Sequence, residues 1–496
     1  MNYILSIDQG TTGTTACLIS TSDFSFVGKV NKEYPQIYPQ PSWVEHNLND
    51  IWATVESTVS DLLKKYNVLP DQIKAIGITN QRETTCAFNR QGKPLANAIV
   101  WQDRRTTDFC EQLKRDGHEA KIKKLTGLTV DPYFSASKMN WLINHNSSVK
   151  IAAESNDLLL GNIDTFLLYK LTAGNSFKTD ASNASRTMLM NLTTCSWDDE
   201  LTNLFSIKKS FLPEISDSFT VFGKTKGLSF LPDDIPISGI LGDQQAALFG
   251  QAGFNQGDMK CTYGTGAFVL LNTGANLIYS TSGLLTTVQY KHNGKAIYAL
   301  EGSSYIAGAA VQWLRDNLKI IKKSSEVESL AKEVTDLNEA ANIVFFPFFS
   351  GIGSPHWKPD AKAALIGITR DTKNSHIALA ALEGIALSIN DLLTAMEKDT
   401  NIKIANLNVD GGAVENSLLM EIQATASQVK IIRPKIIETT AYGAALAAAI
   451  GVGLVDINRL SEIWKKDCEF NPSPRLMNYL ELKKVIWSQI IKKLYL

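Results

Sequence analysis

The sequence predicts an α/β fold of two related domains facing each other across a cleft, and three observations carry that prediction. Short apolar strands alternate with a helix of 3.6-residue periodicity in the opening third. At 496 residues the chain exceeds what one hydrophobic core usually supports. A strand, a Gly/Thr turn and a second strand open the chain, and the same pattern returns in altered form after Asp258.

The elements follow in order. Tyr3–Ile7 and Thr15–Ile19 read as strands on either side of Asp8-Gln9-Gly10-Thr11-Thr12-Gly13-Thr14. Ile51, Val55, Val59, Leu62 and Leu63 recur at helical spacing after the capping candidates Asn47 and Asn49. Ile73–Thr79 is a strand ending in polar Asn80-Gln81-Arg82-Glu83-Thr84, and Asn89–Lys93 is a turn. Ile235–Leu241 is an apolar run closed by Gly242-Asp243-Gln244-Gln245, after which Ala246–Phe249 begins a helix. Gly250–Asp258 reads as the domain junction, dividing the chain into 1–250 and 251–496. Beyond it, Met259–Tyr263 enters Gly264-Thr265-Gly266 and leaves as Ala267–Leu271.

Composition removes several classes of function. A net charge of −1 gives no global field for nucleic acid or anionic membrane. The six cysteines are widely spaced and lack CxxC or Cys/His pairing, which speaks against a disulfide framework or structural zinc. Asp8 interrupts the apolar core that a secretion signal would need. Ala441–Val455 is too short to span a bilayer, and its Gly and Ala content suits a closely packed helix. The expectation is a cytoplasmic protein with no nucleic-acid partner and no membrane insertion.

Four polar, glycine-bearing segments interrupt the apolar elements: Asp8–Thr15, Gly242–Gln245, Tyr263–Gly266 and Asp410–Ala413. In the first, glycine permits a tight turn whose N–H groups converge on an anion, and threonine hydroxyls add donors. An acid at the strand end can hold Mg²⁺ beside phosphates. In the second, Asp243 stands between rigid flanks, where it could cap a helix or accept a proton from a substrate hydroxyl. Together the four resemble the phosphate, metal and nucleoside loops of actin-like ATPase folds.

The segments Asn80–Thr84, Val100–Thr106, Asp131–Phe134 and Gly242–Gln251 narrow the resemblance. The chain resembles the glycerol kinase branch of the FGGY carbohydrate kinase family. Signature-like stretches at Tyr133–His145, with Lys138 and Trp141, and at Leu365–Glu383 agree with it, as do Gly161–Thr165 and Asn183–Met188. The similarity runs to about Gly453, and the last forty or so residues match less clearly, as expected of a tail tolerant of change. The resemblance implies two actin-like, ribonuclease H-like domains around a nucleotide cleft. It implies transfer of the ATP γ-phosphoryl to glycerol with Mg²⁺, giving sn-glycerol 3-phosphate. It assigns glycerol to Arg82, Glu83, Tyr133, Asp243 and Gln244, with Trp101 and Phe268 as apolar walls. It assigns phosphate to Thr11, Thr12 and Thr265, nucleotide to Gly308, Gln312, Gly412 and Asn416, and metal to Asp8. Dimers and tetramers are usual in such families, so a homodimer or homotetramer is the expectation.

The assigned chemistry is coherent. Arg82 donates, Glu83 and Asp243 accept, and Tyr133 does both, as a small triol requires. Asp243 would orient and deprotonate the attacking hydroxyl. The chain departs from the pattern at the phosphate loop. Thr15 stands where many glycerol kinases carry arginine, and Gly13, still a phosphate-loop candidate through its N–H, replaces a common serine. A further departure is the segment Gly227–Ile235, which has no arginine and carries Asp233 and Asp234. Some bacterial glycerol kinases bind fructose 1,6-bisphosphate through a Gly/Arg loop there. Two other readings compete. A related kinase for a pentulose or gluconate is disfavoured by Arg82-Glu83, Trp101 and Asp243-Gln244-Gln245. A non-catalytic nucleotide switch leaves the hydroxyl-binding set unexplained.

Overall fold

The computed structural model describes every residue, Met1–Leu496. Strands β1 (Tyr3–Gln9), β2 (Gly13–Ser20) and β3 (Phe26–Glu33) form an antiparallel meander. Helix α1 (Leu48–Lys65) then returns the chain to β4 (Ile73–Asn80), parallel to β1. The Asn47 side chain accepts from the Asn49 N–H at the start of α1, and Lys64 and Lys65 complement the dipole at its end. The face bearing Ile51, Val55, Val59 and Leu62 is fully buried, each side chain contributing about 1.5–3 kcal/mol of transfer free energy. Helix α2 (Ser135–His145) belongs to a second core beside the sheet. Strands β5 (Phe219–Lys224) and β6 (Pro236–Gly242) complete the sheet in the order β5-β6-β4-β1-β2-β3.

Helix α3 (Asp243–Gly250) leads into the second half. There β7 (Met259–Tyr263), β8 (Ala267–Gly274), β9 (Leu285–His292) and β10 (Lys295–Ser304) are followed by helices α4 (Gly308–Asp316) and α5 (Asn374–Thr400). Strand β11 (Asn406–Asp410), helix α6 (Ser417–Ser427), strand β12 (Lys430–Pro434) and helix α7 (Thr439–Gly451) come next. Strand β13 (Lys466–Phe470) and helix α8 (Pro474–Leu494) end the chain. The sheet order is β9-β10-β8-β7-β11-β12-β13. In each half the first strand pairs antiparallel with the second and parallel with the strand that follows the first long helical excursion. The two halves therefore share one plan, as the repeated Gly/Thr turns suggest.

Helix α7 comes from the second half but packs on the sheet of the first, in one core with Ile4, Cys17, Ala75 and Leu241. A Cβ at Gly77 would lie 2.1 Å from the Ala444 carbonyl oxygen, and one at Gly239 would lie 2.3 Å from the Ala448 nitrogen. Small residues on both sides let helix and strand backbones touch, which accounts for the Gly/Ala content of this segment. Helix α5 is long and apolar enough to cross a membrane, yet 78% of its apolar window is buried inside the protein.

The C-terminal segment corrects an expectation. Instead of a tolerant tail, α8 buries Leu476, Leu480, Trp487 and Ile491 against the second core. Lys483 is fully buried and pairs with Glu383 of α5 at 2.9 Å. Helical spacing of these residues was present in the sequence, but a resemblance to relatives says nothing where the relatives diverge. None of the six cysteines is bridged, and five are buried.

Candidate active site

The turn between β1 and β2 is braced from behind. The Tyr34 hydroxyl lies 2.6 Å from the Gly10 carbonyl oxygen and 2.8 Å from that of Thr11. Gln36 Nε2 donates to the Thr11 carbonyl at 3.0 Å, and Gln81 Nε2 to the Gly10 carbonyl at 3.1 Å. With its carbonyls tied inward, the turn leaves the Thr11 and Thr12 N–H groups without a partner inside the protein. Such a convergence of free N–H groups is an anion cradle. A Cβ at Gly13 would lie 2.6 Å from the Lys32 carbonyl oxygen, so the glycine is required by the close approach of β3.

Asp8 sits beside this turn, opposite Thr15 in the β1–β2 ladder. Burial, then the carboxylates of Asp243 and Glu438, push its carboxyl up to about 8. No protein hydrogen bond compensates it, and Asp8 and Asp243 share one electrostatic neighbourhood although they come from different strand ends.

Asp243 opens α3 as its first residue, and the cap position falls on Gly242. Its Oδ1 accepts from the Gln244 N–H at 2.7 Å and lies 3.0 Å from Arg82 Nε. Its side chain is 28% exposed, while that of Arg82 is 2% exposed, so the carboxylate faces the cleft and the guanidinium backs it. Burial lifts the Asp243 carboxyl above its ordinary value against the pull of Arg82, Lys260 and the Gln244 N–H.

A buried ionic lattice holds Arg82. Its Nη1 and Nη2 donate to Glu301 Oε2 and Oε1 at 2.5 and 3.0 Å, and Nη1 also reaches Gln245 Oε1 at 3.2 Å. Arg186 donates to Glu83 Oε1 at 2.6 Å and to Glu301 Oε1 at 2.9 Å. Burial raises Glu301, but the Arg186 and Arg82 guanidiniums overcome it and hold the carboxyl down at about 2. Glu83 has its carboxyl raised by burial against both guanidiniums, and its φ of +61° is a left-handed conformation rare for such a side chain. Arg186 Nη1 finds no acceptor, and Arg82 Nε, although ion-paired with Asp243 Oδ1 at 3.0 Å, is out of line for a hydrogen bond to it. Orphaned donors beside an outward carboxylate suit a small ligand rich in hydroxyls.

Aromatic rings close the pocket. The Trp101 ring centroid lies 5.7 Å from that of Tyr133 and 6.4 Å from that of Phe268, both edge-on. Trp101 and Tyr133 belong to the first half and Phe268 to β8, so the wall spans both halves.

On the other side, Thr265 is exposed in the β7–β8 turn, and its carbonyl accepts from the Ala307 N–H at 2.8 Å. The Gly308 N–H donates to the Gly264 carbonyl at 2.9 Å, bringing the start of α4 onto that turn. Gln312 is exposed one helical turn further on. A Cβ at Gly411 would lie 2.4 Å from the Tyr263 carbonyl oxygen, so the β11 loop reaches the same place, and a Cβ at Gly412 would meet nothing within 4 Å. The Asn416 Oδ1 caps α6 through the Leu419 N–H at 2.9 Å, which leaves its amide N–H groups for a ligand.

Sequence reasoning passed over four members of this site: Arg186, Gln245, Lys260 and Glu301. Arg186 and Gln245 lay inside quoted motifs without a role. Lys260 carried a signal of its own, the single charge in a short strand, and Glu301 a weaker one, a carboxylate directly after the apolar run Ala296–Leu300.

With the geometry described, comparison with known proteins is direct. Residues 3–250 match the N-terminal domain, and residues 259–452 the C-terminal domain, of the FGGY family of carbohydrate kinases. The glycerol kinase of Myxococcus xanthus (strain DK1622) is 49% identical over 474 residues, covering 95% of each chain. Glycerol kinase 2 of Thermotoga maritima is 46% identical over 497 residues, covering 99% of each. Among solved structures, Plasmodium falciparum glycerol kinase with ADP superposes with a TM-score of 0.91 at 37% identity, covering 100% of this chain and 99% of that one.

Proposed function

The chain belongs to the FGGY family of carbohydrate kinases, and from that premise we propose how its cleft phosphorylates glycerol. The protein transfers the γ-phosphoryl of ATP to glycerol, giving glycerol 3-phosphate and ADP. The observation that carries the assignment of roles is the juxtaposition of Asp243, open to the cleft, with the buried Arg82 guanidinium paired to it at 3.0 Å. Arg82 and Gln244 donate to glycerol oxygens, and Glu83 and Asp243 accept from its hydroxyls. Trp101, Tyr133 and Phe268 cover the carbon chain and exclude water, which limits transfer to water instead of glycerol.

In the reaction the glycerol oxygen bonds to the γ-phosphorus as the bond from that phosphorus to the bridging oxygen breaks. Asp243 takes the proton released by the attacking hydroxyl, and ADP leaves with the electron pair. Thr11 and Thr12 offer their N–H groups, and Thr265 its hydroxyl, to phosphate oxygens as charge shifts during transfer. Gly308, Gln312, Gly412 and Asn416 receive the nucleoside.

Asp8 fits a hard divalent cation such as Mg²⁺. Its carboxyl lacks a hydrogen-bond donor and faces two further carboxylates, a repulsion that a cation relieves. When bound, such a cation neutralises phosphate charge.

In this division of labour residues 1–250 hold glycerol and the phosphate–metal site, and residues 251–496 hold the nucleotide. The same reading carries a cytoplasmic location and a homodimer or homotetramer; light scattering checks the oligomer.

Asp243→Asn tests the assignment. Turnover of glycerol should fall about 10²–10⁴-fold, the usual contribution of general-base catalysis, while calorimetry shows ADP binding retained. Near-normal turnover in the folded variant would remove Asp243 from the role of base.

A further inference from the structure

Lys260 lies on β7, and its side chain is fully buried. A buried ammonium usually demands a carboxylate partner, as Lys483 has in Glu383. Lys260 has none within 4.0 Å: its Nζ donates to Gln244 Oε1 and, at 2.7 Å, to Thr262 Oγ1. The cation is thus spent on two neutral oxygens, one of them in the proposed glycerol pocket and on the other half of the chain.

The chemistry of that contact is one-sided. An ammonium has donors and no acceptor, so it fixes which end of a carboxamide it meets. Gln244 must turn its Oε1 to Lys260, and its Nε2 then points away, where it donates to no protein group. Without the ammonium the amide can flip, presenting acceptor or donor alike. Asp243, next in the chain, can only accept when ionised, and Arg82 can only donate. The hydroxyl that meets Gln244 is therefore offered a fixed sense of hydrogen bond only while that amide is held.

We propose that Lys260 is a positioning residue that locks the Gln244 amide with its N–H₂ toward the polyol, and thereby sets how strictly the enzyme requires a full complement of hydroxyls. This rests on the reading of the cleft as a glycerol site. Lys260 does not touch the substrate. Because β7 and α3 belong to different halves, the lock also ties hydroxyl recognition to the way the halves meet.

The experiment compares wild type, Lys260→Met, Gln244→Met and the double variant on glycerol, propane-1,2-diol and propane-1,3-diol, with ADP binding and thermal unfolding as controls. For Lys260→Met, kcat/KM on glycerol should fall about 4–10-fold, the loss of one neutral hydrogen bond from the Gln244 amide to the polyol, chiefly through KM. At least one diol, the one lacking the hydroxyl that Gln244 meets, should lose much less, so discrimination narrows. In the Gln244→Met background the lysine change should add less than about threefold, because coupled residues are not additive. An equal loss on all three substrates, a fall in kcat alone, or full additivity in the double variant would overturn the proposal. Should Lys260→Met fail to unfold cooperatively or to bind ADP, Lys260→Gln replaces it. A neutral amide at 260 can donate or accept, so it frees the flip, and the same narrowing is expected. Wild type that phosphorylates no glycerol would sink the reading of the cleft itself, whereas an active wild type with unchanged discrimination in the variants sinks only the role of Lys260.

Discussion

Trp101 Nε1 donates to Thr11 Oγ1 at 3.0 Å, so the aromatic wall that Trp101 forms with Tyr133 and Phe268 is hydrogen-bonded to the β1–β2 turn. Under the proposed assignment, the two substrates share a boundary made of one indole and one hydroxyl.

Trp101→Phe keeps an aromatic cover and removes the donor. A neutral hydrogen bond is worth about 1 kcal/mol, so kcat/KM for ATP should fall roughly fivefold although Trp101 belongs to the glycerol side. Stability should change little. Steady-state kinetics with each substrate varied in turn checks this, and an effect confined to glycerol would mean that the bond carries no coupling.

Arg82 is the hub of the buried lattice, and its substitution has two consequences. Arg82→Ala leaves Glu301 with Arg186 alone and removes the charge behind Asp243. Breaking a buried pair typically costs about 3–5 kcal/mol, so the alanine variant should melt well below wild type as well as lose glycerol use. Arg82→Lys keeps a cation but not the bidentate fork, and should be more stable than the alanine variant with glycerol kcat/KM still well below wild type. Melting curves and glycerol kinetics separate the two losses. A wild-type melting temperature for Arg82→Ala would show that the lattice does not depend on Arg82.

The contrast between Asp243 and Glu301 shows what the sequence makes legible. Asp243 stood at the polar end of an apolar run, inside a long motif, and local pattern placed it at a strand end before a helix. Glu301 sits mid-strand in the other half, 219 residues from Arg82. Its meaning depends on tertiary pairing, which no local window contains. The Gly/Thr turns, the likeness of the two halves implied by their repetition and the close-packed α7 were readable because each follows from backbone geometry. That α7 would pack on the first sheet was not, because periodicity names a buried face without naming its partner. Lys260 had the same fate: a lone charge in a short apolar strand marks a special site without saying which.

Thr15 lies opposite Asp8 in the ladder, and its hydroxyl accepts from Asn31 Nδ2 at 2.8 Å. In Thr15→Arg a guanidinium would stand on the same face as Asp8 and the phosphate turn. ADP should bind about threefold to tenfold more tightly at low salt, with the gain shrinking as salt screens it. Calorimetry at two ionic strengths measures this, and unchanged or weaker binding at low salt would count against a missing phosphate contact at this position.

The Gly227–Ile235 loop should confer no response to fructose 1,6-bisphosphate. Asp233 Oδ1 accepts the Gly227 N–H at 2.7 Å, occupying a donor an anion would need, and its Oδ2 pairs with Lys226 at 2.8 Å. The cation adjoining the loop, Lys226, is thus already paired, and Asp234 adds negative charge. Initial rates titrated with the bisphosphate at several protein concentrations should stay flat. Inhibition that vanishes when Asp233 and the neighbouring loop are altered would show that the loop binds it.

Asp391 offers a test of stability against pH. It lies on α5 at a small cavity that also meets Ser354 and His356, and its Oδ2 accepts from Trp487 Nε1 of α8 at 2.8 Å. Burial lifts its carboxyl from 3.8 to about 7, only partly offset by the indole N–H. The folded protein therefore keeps a proton that the unfolded chain releases above about 4. Between these values the native state binds more protons, so stability falls as pH rises and levels off above about 7. Asp391→Asn keeps an acceptor for Trp487 and removes the titration. The variant should gain on wild type progressively from pH 4 to pH 7, by up to about 4 kcal/mol if the whole shift is expressed. Denaturant unfolding of both proteins across that range reads the difference directly. A gap between them that does not change with pH would mean that Asp391 is ionised in the folded protein throughout.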